Sequence, residues 1–273
     1  MTMLTIPQFI EQEHQTGQIW DYVSPSRLNL WLKCPLAFRK RYIDGEQTCP
    51  SPALFVGKVV HSVLAHIYRN RIAGHYCSTE DLPQFVADAW NMSMEQEQPY
   101  FCDDAEEEKC RYQVLDLVTA YLNSVPIHDE RPVAIEKRYE VPLIDPLTGE
   151  YFGIPLVGVI DLITEEESGY VITDFKTASS SGISEMQHEL QLTAYSYLVR
   201  NIIEEDEARC EVRQLVKTKV PKVNIYRFPR RTDDHFARFF GLIREYLDAL
   251  DQGIYNYRPS WACNMCEHNG TCC

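Results

Sequence analysis

Residues 152–178, FGIPLVGVIDLITEEESGYVITDFKTA, decide the fold. Residues 152–163 are an apolar run of strand length. Glu165 to Gly169 form a turn, and Tyr170 to Lys176 alternate as a second strand. Strands joined by so short a turn run antiparallel, which brings Asp161 of the first near Asp174 of the second. Asp174 and Lys176 share parity and point to one face of the sheet. Two carboxylates and an ammonium on one face suit metal-dependent hydrolysis of a phosphodiester. The acids hold a hard cation such as Mg²⁺, with the Phe175 carbonyl as a further candidate ligand. The lysine orients the attacking water and balances charge at phosphorus. The same residues also read as a turn-capping Asp161 and a plain Asp174–Lys176 ion pair.

Working outward, Val133, Ile135, Tyr139 and Val141 alternate with polar residues and predict a strand upstream. Before it the chain is mostly helical. Ser24 and Pro25 open a short helix around Arg27–Lys33, interrupted at Pro35. Val56, Val59, Val60, Val63, Leu64 and Ile67 give residues 53–72 a helical stripe, and further helices are expected over about 81–96 and 106–124. Downstream, 185–202 reads as a helix, 212–228 as one or two strands, and 233–251 as a helix stopped by Gly253. Residues 1–22 read as a loose arm and 254–273 as an irregular tail. The expected architecture is α/β, a mixed sheet flanked by helices. Its segments are a helical region at 1–125, a core at 126–252 and a Cys-rich tail at 253–273.

The 273 residues carry a net charge of −14, 45% hydrophobic and 24% charged side chains, ordinary proportions for a globular chain. The longest stretch without a charge, Leu117 to His128, is too short to span a membrane. The first twenty residues hold Glu11 and Glu13 and no basic residue, so no signal peptide is expected. No phosphate-binding G-x-x-x-x-G-K-[ST] loop is present, so any ATP-driven motor would be a separate partner. Ten cysteines without a secretion signal point to a reducing, cytoplasmic setting, where clustered thiols hold metals.

The net charge hides two basic segments. Ser24 to Ile43 contains Arg27, Lys33, Arg39, Lys40 and Arg41 with no acid. Val212 to Arg231 contains Arg213, Lys217, Lys219, Lys222, Arg227, Arg230 and Arg231, again with no acid. They read either as solvated faces or as surfaces that track phosphates. Trp20, Trp31 and Tyr42 near the first are candidates for stacking on unpaired bases. His61 lies off the apolar stripe of its helix, one turn from Gly57, whose missing side chain leaves room beside the imidazole. Its nitrogen would make a metal site tolerant of Mn²⁺. Gln191 and Tyr195, four apart on a helix, share a face and are placed to hold Lys176 or a phosphate. Glu136 lies on the non-apolar face of its strand, where it approaches the same site.

Asp161…Asp174-Phe-Lys176, preceded by Gly57-x-x-x-His61 and followed by Gln191-Leu-x-x-Tyr195, resembles the RecB-like branch of the PD-(D/E)xK nuclease superfamily. Ser24-x-Ser26-x-Leu28 leading into Cys34-Pro35 is also similar, so the resemblance spans about residues 24–273. It departs at Ile160-Asp161, where the pattern has Pro-Asp. The resemblance implies that His61, Asp161, Asp174 and the Phe175 carbonyl bind Mg²⁺ or Mn²⁺. It also implies that Lys176 is the catalytic lysine and that Gln191 and Tyr195 support it. It further implies a DNA exonuclease acting on single strands or ends, in DNA repair or CRISPR adaptation, with a helicase or recombination partner.

The tail reads Cys263-Asn-Met-Cys266 and Cys272, with Cys34 far upstream. Four thiolates suit either tetrahedral Zn²⁺ or an iron–sulfur cluster. One cysteine before the core and three after it resembles the AddB-type and CRISPR-adaptation nucleases, which implies a [4Fe–4S] cluster tying the tail to the first helices, with Cys273 as the alternative to Cys272. Arg27, Lys33, Arg39, Lys40, Arg41, Lys217, Lys219 and Lys222 are then the residues expected to line the DNA path. Two other functions fit parts of this pattern: a DNA-binding subunit with an idle site, and a zinc-stabilised adaptor.

Overall fold

A computed structural model describes residues 19–46, 48–269 and 272. Its five strands lie in sequence order, β1 (Arg131–Ile144), β2 (Tyr151–Glu166), β3 (Gly169–Ala178), β4 (Arg209–Val216) and β5 (Lys222–Pro229). All neighbours are antiparallel except β3 and β4. The exception follows from the connection: α6 (Glu185–Ile203) crosses over between them, as parallel neighbours require. The expected mixed α/β sheet is therefore present.

Helices cover both faces and make two cores. Against one face lie α1 (Pro25–Lys33), α2 (Pro35–Tyr42), α6 and α7 (Asp233–Asp251), burying Leu28, Trp31, Phe38, Leu198, Phe240 and Tyr246. Against the other lie α3 (Pro52–Ile72), α4 (Leu82–Glu97) and α5 (Asp104–Ser124), burying Phe55, Val60, Trp90 and Leu117 with Leu162 and Phe175 of the sheet. The helical first part of the chain is thus divided between the two faces of the sheet. Among the described residues no helix is long and apolar enough to cross a membrane.

Two close approaches need glycine. A Cβ on Gly158 of β2 would lie 2.6 Å from Leu198 Cδ1, so its absence lets α6 settle on the sheet. A Cβ on Gly57 of α3 would lie 2.9 Å from Thr177 Oγ1. The space beside Gly57 is therefore taken by β3. It is not room for the imidazole, as the sequence reading had it.

β1 and β2 share an irregularity. Ala134 faces the first core and Ile135 the second, yet beyond Glu136 the odd-numbered Tyr139, Val141 and Leu143 face the first. On β2 the even-numbered Ile154, Leu156 and Ile160 face the first core, then Leu162 faces the second and Ile163 the first. The register pairs Ile135 with Leu162 and Lys137 with Ile160, so both reversals fall where Glu136 stands opposite Asp161. Glu136 has φ 47°, the left-handed region that a residue with a side chain enters only when its surroundings over-determine it.

Candidate active site

β2 and β3 pair only as far as Leu162 and Thr173, and then they part. Asp161 and Asp174 are the next residues on each side of this fork. The Phe175 N–H, beyond the last β2–β3 pair, donates to Asp161 Oδ2 at 2.7 Å. That bond fixes the carboxylate and leaves Oδ1 facing α3, where His61 Nδ1 lies 3.5 Å away. Glu136 Oε1 lies 3.7 Å from the same nitrogen. The ligand atoms of His61, Glu136 and Asp161 all fall within 4.8 Å of one another.

Asp174 is 1% exposed and Lys176 about a third. Lys176 Nζ sits 2.7 Å from both oxygens of Asp174 and donates to Oδ1, and Gln191 Nε2 donates to the same oxygen at 2.9 Å. Gln191 also donates to the Tyr195 hydroxyl at 2.7 Å. Asp174 Oδ2 is buried, and its contact with the Lys176 ammonium is an ion pair without hydrogen-bond geometry. The resulting chain of contacts runs from α6 to β3, with the ammonium at its more exposed end.

Electrostatics fit this geometry. Burial alone would depress the His61 imidazole, but the carboxylates of Asp161 and Glu136 outweigh it and hold its pKa up to about 10. Burial raises the Asp174 carboxyl to about 6, against the pull of Lys176 and with a further push from Asp161. Asp161 stays below its ordinary value because His61, Lys176 and the Phe175 N–H overcome its burial. Two carboxylates thus face one imidazole nitrogen, and the buried Asp174 carboxylate faces the Lys176 ammonium. An imidazole with carboxylate oxygens is a donor set that Mg²⁺ or Mn²⁺ accepts.

The Phe175 ring anchors the site from behind. It packs edge-on to His61 and Tyr121, at 5.9 and 5.7 Å between ring centroids, and stacks on Tyr68 at 6.3 Å. Tyr68 and Tyr121 share a 2.8 Å hydrogen bond and both accept from Arg213, which pairs with Glu130 at 2.7 Å and Glu211 at 3.1 Å.

Thus the predicted His61, Asp161, Asp174, Phe175, Lys176, Gln191 and Tyr195 meet at one place. Glu136 joins them more closely than its strand pattern suggested, since no glycine or proline marks the left-handed turn that re-aims it.

The predicted DNA-binding residues divide. Arg27 is corrected: its side chain is 4% exposed, its guanidinium lies 3.7 Å over the Tyr22 ring, and it donates to the carbonyls of Tyr22 and Ile19. Trp31 is corrected too, being buried edge-on against Tyr246. Arg213 and Arg231 of the second segment are likewise buried. Arg39, Lys40 and Arg41 lie beside Asp44, Glu46 and Glu267. Lys217 is half-buried, with its ammonium on the Ala53 carbonyl, and Lys33, Lys219 and Lys222 are exposed.

The tail lies against the first helices. Arg258 donates to the Leu32 carbonyl at 2.7 Å and stacks over Trp31, Glu267 accepts from Thr48 at 2.9 Å, and His268 lies 3.3 Å from Glu46. Cys34, at the junction of α1 and α2, and Cys263, Cys266 and Cys272 are all half-buried. The Ser260 N–H donates to Cys263 Sγ at 3.4 Å and lowers the pKa of that thiol. Cys273 lies outside the described residues.

Comparison with known proteins agrees with the geometry. The family model of the PD-(D/E)XK nuclease superfamily matches residues 22–273. Among solved structures, a candidate exonuclease from Eubacterium rectale superposes with a TM-score of 0.56 at 13% identity, over 91% of this chain and 88% of that one. No curated protein matches the sequence. With nearly the whole chain inside the family model, and the acids and lysine of the motif gathered at the fork of β2 and β3, the chain belongs to the PD-(D/E)XK nuclease superfamily.

Proposed function

We propose that this chain is a metal-dependent nuclease of the RecB-like branch that hydrolyses DNA as an exonuclease on single strands or ends. One observation carries the reading: His61, Glu136 and Asp161 converge within 4.8 Å beside an Asp174 held by Lys176 and Gln191. His61 and Asp161, with Glu136 and Asp174, whose Oδ2 is ion-paired with Lys176 but accepts no directed hydrogen bond, would hold Mg²⁺ or Mn²⁺. When bound, the cation supplies Lewis-acid polarisation of a phosphoryl oxygen and lowers the pKa of water.

The protein's own groups do the rest. The Phe175 N–H fixes Asp161, so its free oxygen cannot rotate away. Gln191 holds Asp174 in the rotamer that grips Lys176. The ammonium, anchored but exposed at its outer side, orients the attacking water and offsets negative charge developing on the phosphate. Tyr195, 5% exposed, closes the site beneath Gln191 and excludes solvent from Asp174.

We further propose that Cys34, Cys263, Cys266 and Cys272 hold a [4Fe–4S] cluster. Support comes from the contacts that lay residues 258–268 on residues 31–48, and from the acidified Cys263 thiol. Thiolates are the ligands such a cluster needs. Lys33, Lys219 and Lys222 remain the candidates for phosphate contacts on the DNA path.

The test is cleavage of end-labelled single-stranded and duplex DNA by anaerobically purified protein, with Mg²⁺, Mn²⁺ or EDTA. Cleavage that needs metal and disappears in both Asp174→Ala and Lys176→Ala is the expected result. A folded, cluster-loaded protein that cuts neither substrate would overturn the proposal.

A further inference from the structure

The face of α6 that reaches the site carries more than Gln191 and Tyr195. One turn before Gln191, the same stripe presents His188, half-buried. Among the described residues, neither of its ring nitrogens has a hydrogen-bond or ion-pair partner. Other histidines are committed: His61 to two carboxylates, His66 to Asn70 and His235 to Thr232. The acids that flank His188 on α6 turn elsewhere. Glu185 meets Arg231 at 3.1 Å and Glu189 meets Arg238 at 2.6 Å.

The charge that acts on His188 is that of Lys176 on β3. Burial and then that ammonium push the imidazole down to about 4. At neutral pH the ring is uncharged, with one N–H to donate and no acceptor for it among the described residues. An uncommitted donor one helical turn from Gln191, which shares Asp174 with the Lys176 ammonium, matches an anion that accepts from both the imidazole and the ammonium. A phosphodiester offers two non-bridging oxygens for this purpose.

We infer that His188 donates a hydrogen bond from its neutral ring to a non-bridging oxygen of the substrate phosphodiester faced by Lys176, making it a substrate-binding residue of the α6 wall. The inference rests on the nuclease reading. It assigns no proton transfer to His188: the ring holds its N–H throughout, and its role is to seat the phosphate.

Two measurements test it. In steady-state cleavage of a single-stranded oligonucleotide, His188→Ala raises KM roughly five- to tenfold with kcat within about twofold of wild type, the signature of lost uniform binding. His188→Gln, which keeps a donor, recovers much of the loss, and thermal midpoints of both variants match wild type. Separately, the His188 ring resonances shift when the same oligonucleotide is added in EDTA, where no cleavage occurs. An active wild type with KM unchanged in His188→Ala, or with the loss confined to kcat, would overturn the inference. If the wild type does not cleave, the nuclease reading fails, and the resonance titration decides the contact alone: unmoved ring signals refute it.

Discussion

Replacing Gly158 by alanine tests how α6 is held over the site. The new Cβ would sit 2.6 Å from Leu198 Cδ1 and 3.5 Å from Tyr195 Cε1. Leu198 is wholly buried, so its methyl cannot swing into solvent. Alanine itself favours the folded strand by about 0.5–1 kcal/mol through lost backbone freedom in the unfolded chain. Forcing a methyl into a packed core costs about 1–3 kcal/mol. The net expectation is a loss of roughly 1–2 kcal/mol, or a fall in Tm of roughly 2–8 °C for a chain of this size. Because Tyr195 supports Gln191, cleavage also slows. Calorimetry or urea unfolding reads the stability, and a cycle with Leu198→Ala reads its cause. Leu198→Ala alone costs about 2–5 kcal/mol, but in the double variant the Cβ occupies vacated space, giving a favourable coupling of about 1 kcal/mol or more. Strict additivity, or a Tm unchanged or raised by Gly158→Ala, refutes the reasoning.

Three further outcomes are expected. Arg27→Ala loses about 1.5–3 kcal/mol of stability with its charged hydrogen bonds, but leaves the salt dependence of DNA binding unchanged; a slope reduced by about one would show a phosphate contact. Glu136→Gln weakens Mn²⁺ binding about tenfold or more in titration calorimetry, and an unchanged affinity removes Glu136 from the metal site. Burial opposes ionisation of Glu207, yet Arg200 and the Arg231 N–H hold its carboxyl below its ordinary value. A lowered carboxyl pKa stabilises the fold above the unfolded value, about 4.5, and the benefit is lost as pH falls through the folded one. The wild type should therefore resist urea better than Glu207→Gln at pH 7, by a margin that narrows as pH falls below about 4.5; a margin that does not change with pH rejects this linkage.

Much of the architecture was legible because the relevant signals are local. The apolar stripe of residues 53–72 lies on α3 (Pro52–Ile72), and the last helix begins and ends at the expected residues, with Gly253 at φ 65° beyond it. The acids and lysine were legible because strand parity and a short turn determine which residues meet. Burial of charge was not. β4 reads RCEVRQLV, a charged surface by composition, yet Glu211 and Arg213 neutralise each other beneath Tyr68 and Tyr121. Arg27 hid in the same way: a basic run does not reveal that one guanidinium is folded over a neighbouring tyrosine. Gly57 reads from the sequence as room beside His61, because the neighbour that demands a glycine there, Thr177, is 120 positions away in the chain.

The paired reversal at Glu136 and Asp161 also bears on how the chain finds its fold. Two uniformly alternating strands can slide by two residues and still match apolar to apolar, leaving a competing arrangement close in energy. β1 and β2 cannot. Each changes face partway along, and only one alignment brings the changes opposite each other. Any slip would expose apolar side chains and bury polar ones between the two change points. The kink that aims two carboxylates at His61 therefore acts as a key for strand pairing, so the longest hairpin in the sheet has a single way to close.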